Sequence, residues 1–522
     1  MDFSERTRSS WKADMAPLRT AALRENLRCD VCIVGAGMAG MSVAYELCRD
    51  GRKVVVLDDN CVGGGETAQS TAHLASALDE RFVELERMHG ESGARIAYES
   101  HASAIDRIEA IIMQESIECD FQRRNAYLFL APGQLPDLLD RELAAAWRAG
   151  LHGAQLLTGA PDRELMTGPC LFFPHQAQMH PLRYVAGLLR AVQSQGGRVY
   201  TRTHVRTIHE PHGDSAGWVE TSSGMRVQAD VIVVATNTPI NDRVAIHTKQ
   251  AAYRTYVVAF AQPRERMLHG LYWDTGDPYH YVRSAPPPAG SDEALLIVGG
   301  EDHRTGHGDQ GRERLDALID WTRQRIPDLG EPRYEWSGQV LEPVDGLGFI
   351  GHNPGSSDRV YVATGDSGNG ITHGAIAGML IRDLIEGSDN RWTSLYDPAR
   401  KSLKSLDELM RNNASVAASY VQWLGAPGAS SLDDIPRGQG RIVQHGVRKL
   451  AVYRDDDGRL EVCSAACPHL GGVLHWNGLE RSWDCPLHGS RFDVHGEVLN
   501  GPACNGLQVL PLSAAEKTRR AS

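Results

Sequence analysis

The sequence predicts an α/β unit interleaved with an α+β unit built on a mostly antiparallel sheet, followed by a separate all-β domain. Three observations predict it. Near the start, CDVCIVGAGMAGMSVAYELCRDGRKVVVLDD reads as strand, glycine turn, amphipathic helix and a second strand ending on an acid. Further α/β pieces recur at HPLRYVAGLLRAVQSQGGRVYTRTHVRTI, VQADVIVVATNTPIND and RVYVATGDSGNGITHGAIAGMLIRDLIEG. Strand-like stretches such as YRTYVVAF and YHYVRSAPPPAGSDEALLIVGG separate them, an order that two interleaved domains explain. Beyond the breaker GAPGASSLDDIPRGQG, short strands with a turn at Asp456-Asp457-Gly458 predict the all-β unit.

Length and charge bound the function. A chain of 522 residues is too long for one core. A formal net charge of -12, spread along the chain, leaves no basic face to neutralise a nucleic-acid backbone, so nucleic acid is not an expected partner. No apolar run approaches a membrane span, and MDFSERTRSSWKADMAPLRTAALRENLR lacks the hydrophobic region of a signal peptide; the expected location is the cytoplasm. Cys29, Cys32, Cys48, Cys61, Cys119 and Cys170 are scattered without a disulfide framework, as suits a reducing compartment. Cys29 and Cys32 have C-x-x-C spacing but run into an apolar strand, where small buried residues explain the pair better than redox chemistry.

The first glycine motif carries chemistry. Gly35, Gly37 and Gly40 follow a buried strand and open a helix, and Asp58 closes the next strand 18 residues after Gly40. That combination supplies a tight turn, close backbone approach to a pyrophosphate, helix packing and an acid for a ribose. GHGDQG, from Gly306 to Gly311, spells the same glycine pattern, but its preceding strand has already ended and no parallel strand with a terminal acid follows. It is expected to be a surface loop at a helix start, leaving one dinucleotide site. In ATGDSGNGITHGAIAGML a second glycine loop opens a helix, so backbone N–H groups near Gly370, Ile371 and Thr372 can face developing negative charge on a bound group.

Two Cys-His pairs lie near the end of the chain. Cys467-x-His469 and Cys485-x-x-His488, with fifteen residues between His469 and Cys485, place one thiolate and one imidazole in each of two loops. Two sulfur and two nitrogen ligands at this spacing suit a Rieske 2Fe-2S cluster, with the cysteines on one iron and the histidines on the other. A structural zinc site is the competing reading, although its usual signatures group cysteine with cysteine and histidine with histidine. The flanking CPHLGG and CPLHGSRF also resemble Rieske proteins. Against the high-potential members of respiratory complexes, Gly472 and Leu487 stand where a bracing disulfide would be. Ser490 is retained and Phe492 replaces a tyrosine, which predicts a lower reduction potential.

Taken together, SSW, CIVGAGMAG, GGGETAQSTAH, IECDFQRRNAYLF, EPVDGLGFIG and ATGDSGNGITHGAIAGMLI resemble the D-amino-acid-oxidase-like flavoproteins, the group of glycine and sarcosine oxidases, over about residues 8–395. A Rieske domain is resembled over about 430–515. The resemblance implies an FAD-binding Rossmann-like domain (about 29–80, 180–240 and 336–395) interleaved with a substrate domain (about 81–179 and 241–335). An N-terminal extension over 1–28 and a helix and linker over 401–429 complete the expected organisation. It implies FAD contacts at Thr71, Val205, Ala235, Gly365, Gly370, Ile371 and Thr372, beside Gly35, Gly37, Gly40 and Asp58. On the substrate side it singles out His73, Arg254, Tyr281 and Arg283. A buried arginine there could hold a carboxylate bidentately.

The expected activity is FAD-dependent oxidation of an amine or amino-acid C–N bond, with electrons passing through the cluster to an external acceptor, a protein or oxygen. An NAD(P)H-dependent reductase feeding a partner oxygenase is the alternative, and its only candidate nucleotide motif is the one at Gly306.

Overall fold

A computed structural model of the chain describes residues 7–162, 165–166, 168–241, 246–287, 291–401, 432–445 and 448–511. The helix and linker expected over 401–429 lie outside these residues apart from Lys401. Among the described residues no helix is long and apolar enough to cross a membrane.

The apolar strand Leu27–Val34 pairs in parallel with Val54–Leu57 on one side and Arg226–Val234 on the other. Val360–Thr364 and Arg198–Tyr200 extend the parallel run outward, inside an eight-stranded sheet. Such a sheet must be covered on both faces. Helices Met38–Arg49, Pro181–Ser194 and Gly370–Ile385 bury their apolar stripes in the same core as Val31, Ile33, Val54 and Val56. Cys32, Val34, Val55 and Leu57 pack the opposite face with Val205 and Val219. Burial pushes the Cys29 thiol up to about 12 and raises that of Cys32 as well, the opposite of what a redox pair needs.

The second sheet has nine strands, in the order Tyr334–Pro343, Gln250–Pro263, Glu293–Arg304, His280–Ala285, Gly270–Asp274, Gln122–Phe129, Cys170–Gln178 and His73–Leu74, with Gln155–Leu157 beside Cys170–Gln178. Among the described residues of this sheet, only Gly270–Asp274 and Gln122–Phe129 pair in parallel. Two boundaries differ from those expected. His73–Leu74 already belongs to this sheet, and so does the whole of Tyr334–Pro343, so the chain returns to the first sheet after Pro343 and not at about residue 336. Cross-strand pairing, which local sequence does not display, decides membership.

The C-terminal unit is two small antiparallel sheets. One joins Gln439–His445, Arg448–Arg454 and Leu460–Ser464; the other joins His475–Asn477, Ser482–Asp484, Arg491–Phe492 and Val498–Asn500. The turn after Arg454 is closed by Gly458 N–H donating to the Asp455 carbonyl at 3.0 Å. Val452, Trp483 and Phe492 are fully buried.

Candidate active site and cluster loops

The glycine turn is shaped by close approach. Gly35 sits at φ +104, and a Cβ there would stand 2.3 Å from the Ala235 carbonyl oxygen; one on Gly40 would stand 1.9 Å from that of Gly35. No side chain larger than hydrogen fits either place. Ala36 N–H donates to Asp58 Oδ2 at 2.8 Å and Asn60 N–H to Asp58 Oδ1 at 2.9 Å, so the acid ends its strand tied to the turn. Burial raises the Asp58 carboxyl to about 6.

Above this turn lies a cavity of about 510 Å³ lined by Gly35, Gly37, Asp58, Thr71, Val205, Ala235, Gly370 and Ile371. Two helix starts border it, after Gly37 and after Asn369, and neither cap residue uses its side chain to satisfy the first-turn N–H groups. Such ends attract negative charge. The donor set thus fits FAD: one helix end for a pyrophosphate, a second for the flavin carbonyl edge. Three of the expected residues lie behind the wall. Gly40 packs helix on turn, Gly365 adopts φ +70, and Thr372 Oγ1 is 2.8 Å from His101 Nδ1 and donates to the Asn369 carbonyl at 3.1 Å.

On the substrate side His73 and Tyr281 come together, with rings edge-on at 5.5 Å between centroids. His73 Nδ1 is 3.1 Å from Thr71 Oγ1, and Tyr281 Oη is 3.1 Å from Thr255 Oγ1. Burial, with Arg283 nearby, pulls His73 down to about 3, so the ring is neutral. The two arginines part company. Arg254 borders the cavity, but its guanidinium bonds Ser337 and Glu480, the latter in the C-terminal domain at 2.6 Å. Arg283 is outside the cavity wall, its Nη1 donating to the Ala72 carbonyl at 2.7 Å and its guanidinium over the Trp11 ring. Arg254 thus commits Nη2 to two partners, and Arg283 commits Nη1 and Nη2 to main-chain carbonyls.

Two residues not singled out from the sequence occupy that wall. Asp79 presents its carboxylate to the cavity, and Tyr279 Oη donates to Asp79 Oδ2 at 3.3 Å. Burial raises Asp79 to about 6. Tyr279 was within reach of sequence reasoning, since it stands two residues before Tyr281, just ahead of the strand His280–Ala285.

The cluster loops are near copies of one another. Cys467 N–H donates to the Gly472 carbonyl at 2.9 Å and Gly471 N–H to that of Cys467 at 2.8 Å; Cys485 N–H donates to Ser490 and Gly489 N–H to Cys485 at 2.8 and 3.0 Å. This pairing brings the four expected ligands to one end of the domain. The Cys467 and Cys485 thiols bond each other, which pulls Cys467 down to about 7 and pushes Cys485 up. His469 and His488 lie ring to ring at 5.1 Å. Burial holds His488 neutral at about 3, and its Nδ1 has no hydrogen-bond partner, as an imidazole ligand requires. The two thiols lie together and the two imidazoles lie together, as suits a two-iron cluster that takes two protein ligands per iron. Gly472 and Leu487 abut, a Cβ on Gly472 standing 2.6 Å from Leu487 Cδ1, so an apolar contact occupies the place of the brace.

The cluster end of this domain is docked on the flavin half. GHGDQG is not a plain surface loop. A Cβ on Gly306 would stand 2.7 Å from Pro486 N, Asp309 Oδ1 accepts from Gly478 N–H at 3.0 Å, and Gly311 begins its helix against Leu479. The glycines let the backbone approach a protein loop, not a phosphate. His247 stands 5.1 Å from the His469 ring and 5.5 Å from the His488 ring. Asn500 Nδ2 donates to Glu66 Oε1 at 2.9 Å, and Glu480, Arg491 and Asn500 join the wall of the flavin cavity.

Comparison with known proteins agrees with both halves. Residues 30–384 match the FAD dependent oxidoreductase family and 428–511 the Rieske [2Fe-2S] domain. The Bacillus subtilis chain YhfW, described as a Rieske 2Fe-2S iron-sulfur protein, is 31% identical over 96% of this chain and 97% of its own. Gamma-glutamylputrescine oxidoreductase of Escherichia coli is 27% identical over 75% of this chain and 91% of its own. The crystal structure of glycine oxidase from Geobacillus kaustophilus superposes with a TM-score of 0.60 at 20% identity, covering 72% of this chain and all (100%) of that one, which shows a shared fold. The chain belongs to the FAD-dependent oxidoreductases of the D-amino-acid-oxidase type and carries a C-terminal Rieske domain with a 2Fe-2S cluster.

Proposed function

We propose that the chain oxidises the C–N bond of a small amine and passes the electrons, one at a time, to its own cluster and then to an external acceptor. The observation that carries this reading is the shared wall: the cavity between the two helix starts is closed by Glu480, Arg491 and Asn500 of the cluster-bearing domain. Bound there, FAD supplies the hydride acceptor and the cluster the one-electron outlet.

The chain's own residues bind and orient. The face of Tyr279 and Tyr281 forms an aromatic wall against which a substrate carbon can be held. Asp79, raised to about 6, is mostly ionised at neutral pH and within the same cavity, so it can hold an ammonium and take its proton before oxidation. The amine then loses a hydride from carbon, and the resulting imine is hydrolysed by water. Arg254 and Arg283 are both engaged elsewhere, which favours an amine over a substrate clamped through its carboxylate. Two glutamylamine- and glycine-oxidising relatives act on C–N substrates by their names, in keeping with this class.

The reductase alternative gains nothing from the structure, because its candidate nucleotide loop is the seat of the cluster domain. Anaerobic titration tests the reading. Primary and secondary amines should bleach the flavin and then the cluster, and NADH should bleach neither; rapid flavin reduction by NADH would overturn it.

A further inference from the structure

We infer that Gln339 is the side chain that joins the flavin site to the cluster loop, its amide lying against the loop that carries His488 and hydrogen-bonding the bound flavin. The inference rests on the electron route proposed above and names a contact within it.

Gln339 belongs to the edge strand Tyr334–Pro343, and its backbone N–H is already taken by Glu66 Oε2 at 2.7 Å. Its side chain is 2% exposed, yet neither Oε1 nor Nε2 has a partner within the protein. Leaving a buried amide unsatisfied costs about 1–3 kcal/mol per group, and native proteins rarely leave both ends so. Gln339 lines the FAD cavity, where a partner of the right polarity binds. Against the same amide stands Gly489, at φ +75 and next in sequence to His488; a Cβ on Gly489 would be 3.0 Å from Gln339 Nε2 and 2.4 Å from Ala252 Cβ. One side chain therefore touches the cavity and the cluster loop together, and the glycine is what lets the loop come so near.

In the transfer itself one electron leaves the reduced flavin and one of two ferric irons becomes ferrous. Gln339 is neither oxidised nor reduced; it fixes the distance and supplies a polar contact across it.

The test uses the full-length protein loaded with both cofactors and needs no substrate. A laser flash on 5-deazariboflavin, with EDTA as donor, delivers an electron to the flavin, and bleaching of the cluster's visible band reports its onward passage. In Gln339→Leu, FAD and iron contents should be retained, the flavin absorption bands should move, and transfer should be at least roughly tenfold slower, the rate equivalent of one lost buried hydrogen bond. Gln339→Met, unbranched and closer in shape, replaces the leucine variant if that one does not fold. Unchanged flavin bands with unchanged transfer would overturn the inference while leaving the electron route standing. Absence of transfer in the unaltered protein would overturn both.

Discussion

Arg254, in the substrate sheet, donates to Glu480 of the C-terminal domain at 2.6 Å, and the same Glu480 oxygen accepts from Arg491 at 2.6 Å. One carboxylate thus ties the two domains beside the flavin cavity. The Arg254 side chain is 2% exposed and that of Glu480 15%, so the pair is screened from water. Replacing Arg254 by methionine should cost about 3 kcal/mol, the low end for a buried pair losing one partner, because Arg491 still holds Glu480. Denaturant unfolding of Arg254→Met, Glu480→Leu and the double variant checks it. The double should be less destabilised than the sum of the singles, and strict additivity would show that the contact contributes no coupling.

Cofactor loading should separate by position. Cys485→Ser should remove about two iron atoms and two acid-labile sulfides per chain and leave FAD bound. Gly37→Val should do the reverse. A Cβ at Gly37 already meets Thr67 Oγ1 at 3.3 Å, the oxygen that accepts from Met38 N–H at 2.9 Å, and the two further methyls of valine would crowd the helix start that faces the cavity. Iron, sulfide and flavin assays on the same preparations decide it; stoichiometric zinc without labile sulfide in the unaltered protein would contradict the cluster assignment.

The two cofactors were legible because their signals are local. The Cys-His pairs and the first glycine motif each lie within a few tens of residues and need no partner from far away to be recognised. Arg254 was legible as a buried cation on a strand but not in its role, since Glu480 is 226 residues distant and in another domain. Gly306 illustrates the same limit from the other side. A glycine loop that seats a neighbouring domain has the local composition of an exposed turn, and only the docked partner distinguishes them. Asp79 gave no pattern at all, because its position depends on how the chain crosses between the sheets.

Protein stability without FAD should hold roughly level between pH 4.5 and 6.5 and fall above 6.5. Burial raises Asp302 and Asp366 from 3.8 to about 7 and Glu342 from 4.5 to about 8. Once the unfolded carboxyls have ionised, the folded state still keeps their protons, so these three lower stability steadily as pH rises until they ionise in the folded state too, at about 7 and 8. Burial lowers His73 and His101 from 6.5 to about 3 and His373 to about 4, so these three raise stability as pH rises to 6.5 and add no slope above it. The two trends offset each other below 6.5 and leave the carboxyls unopposed above it. Urea midpoints between pH 5 and 8.5 should trace the level stretch and the alkaline fall. Asp302→Asn should remove one carboxyl's share, so that the midpoint climbs from pH 5 to 6.5, and an unchanged profile in that variant would remove Asp302 from the account.

The last prediction separates docking from backbone strain. Gly306 and Gly308 both have left-handed backbones, at φ +75 and +99, so an alanine is strained at either place by roughly 1–2 kcal/mol. They differ in what the added methyl meets. At Gly306 it would press on Pro486 N at 2.7 Å and Pro486 Cα at 2.9 Å, next to the expected ligand Cys485; at Gly308 the nearest atom is Gln310 Cγ at 3.9 Å. Gly306→Ala should therefore displace the cluster loop and slow bleaching of the cluster by reduced flavin, with both cofactors still bound. Gly308→Ala should lose similar stability and transfer electrons at the unaltered rate. Equal slowing in both variants would mean that loop strain alone, and not the seat under Pro486, governs the passage of electrons between the domains.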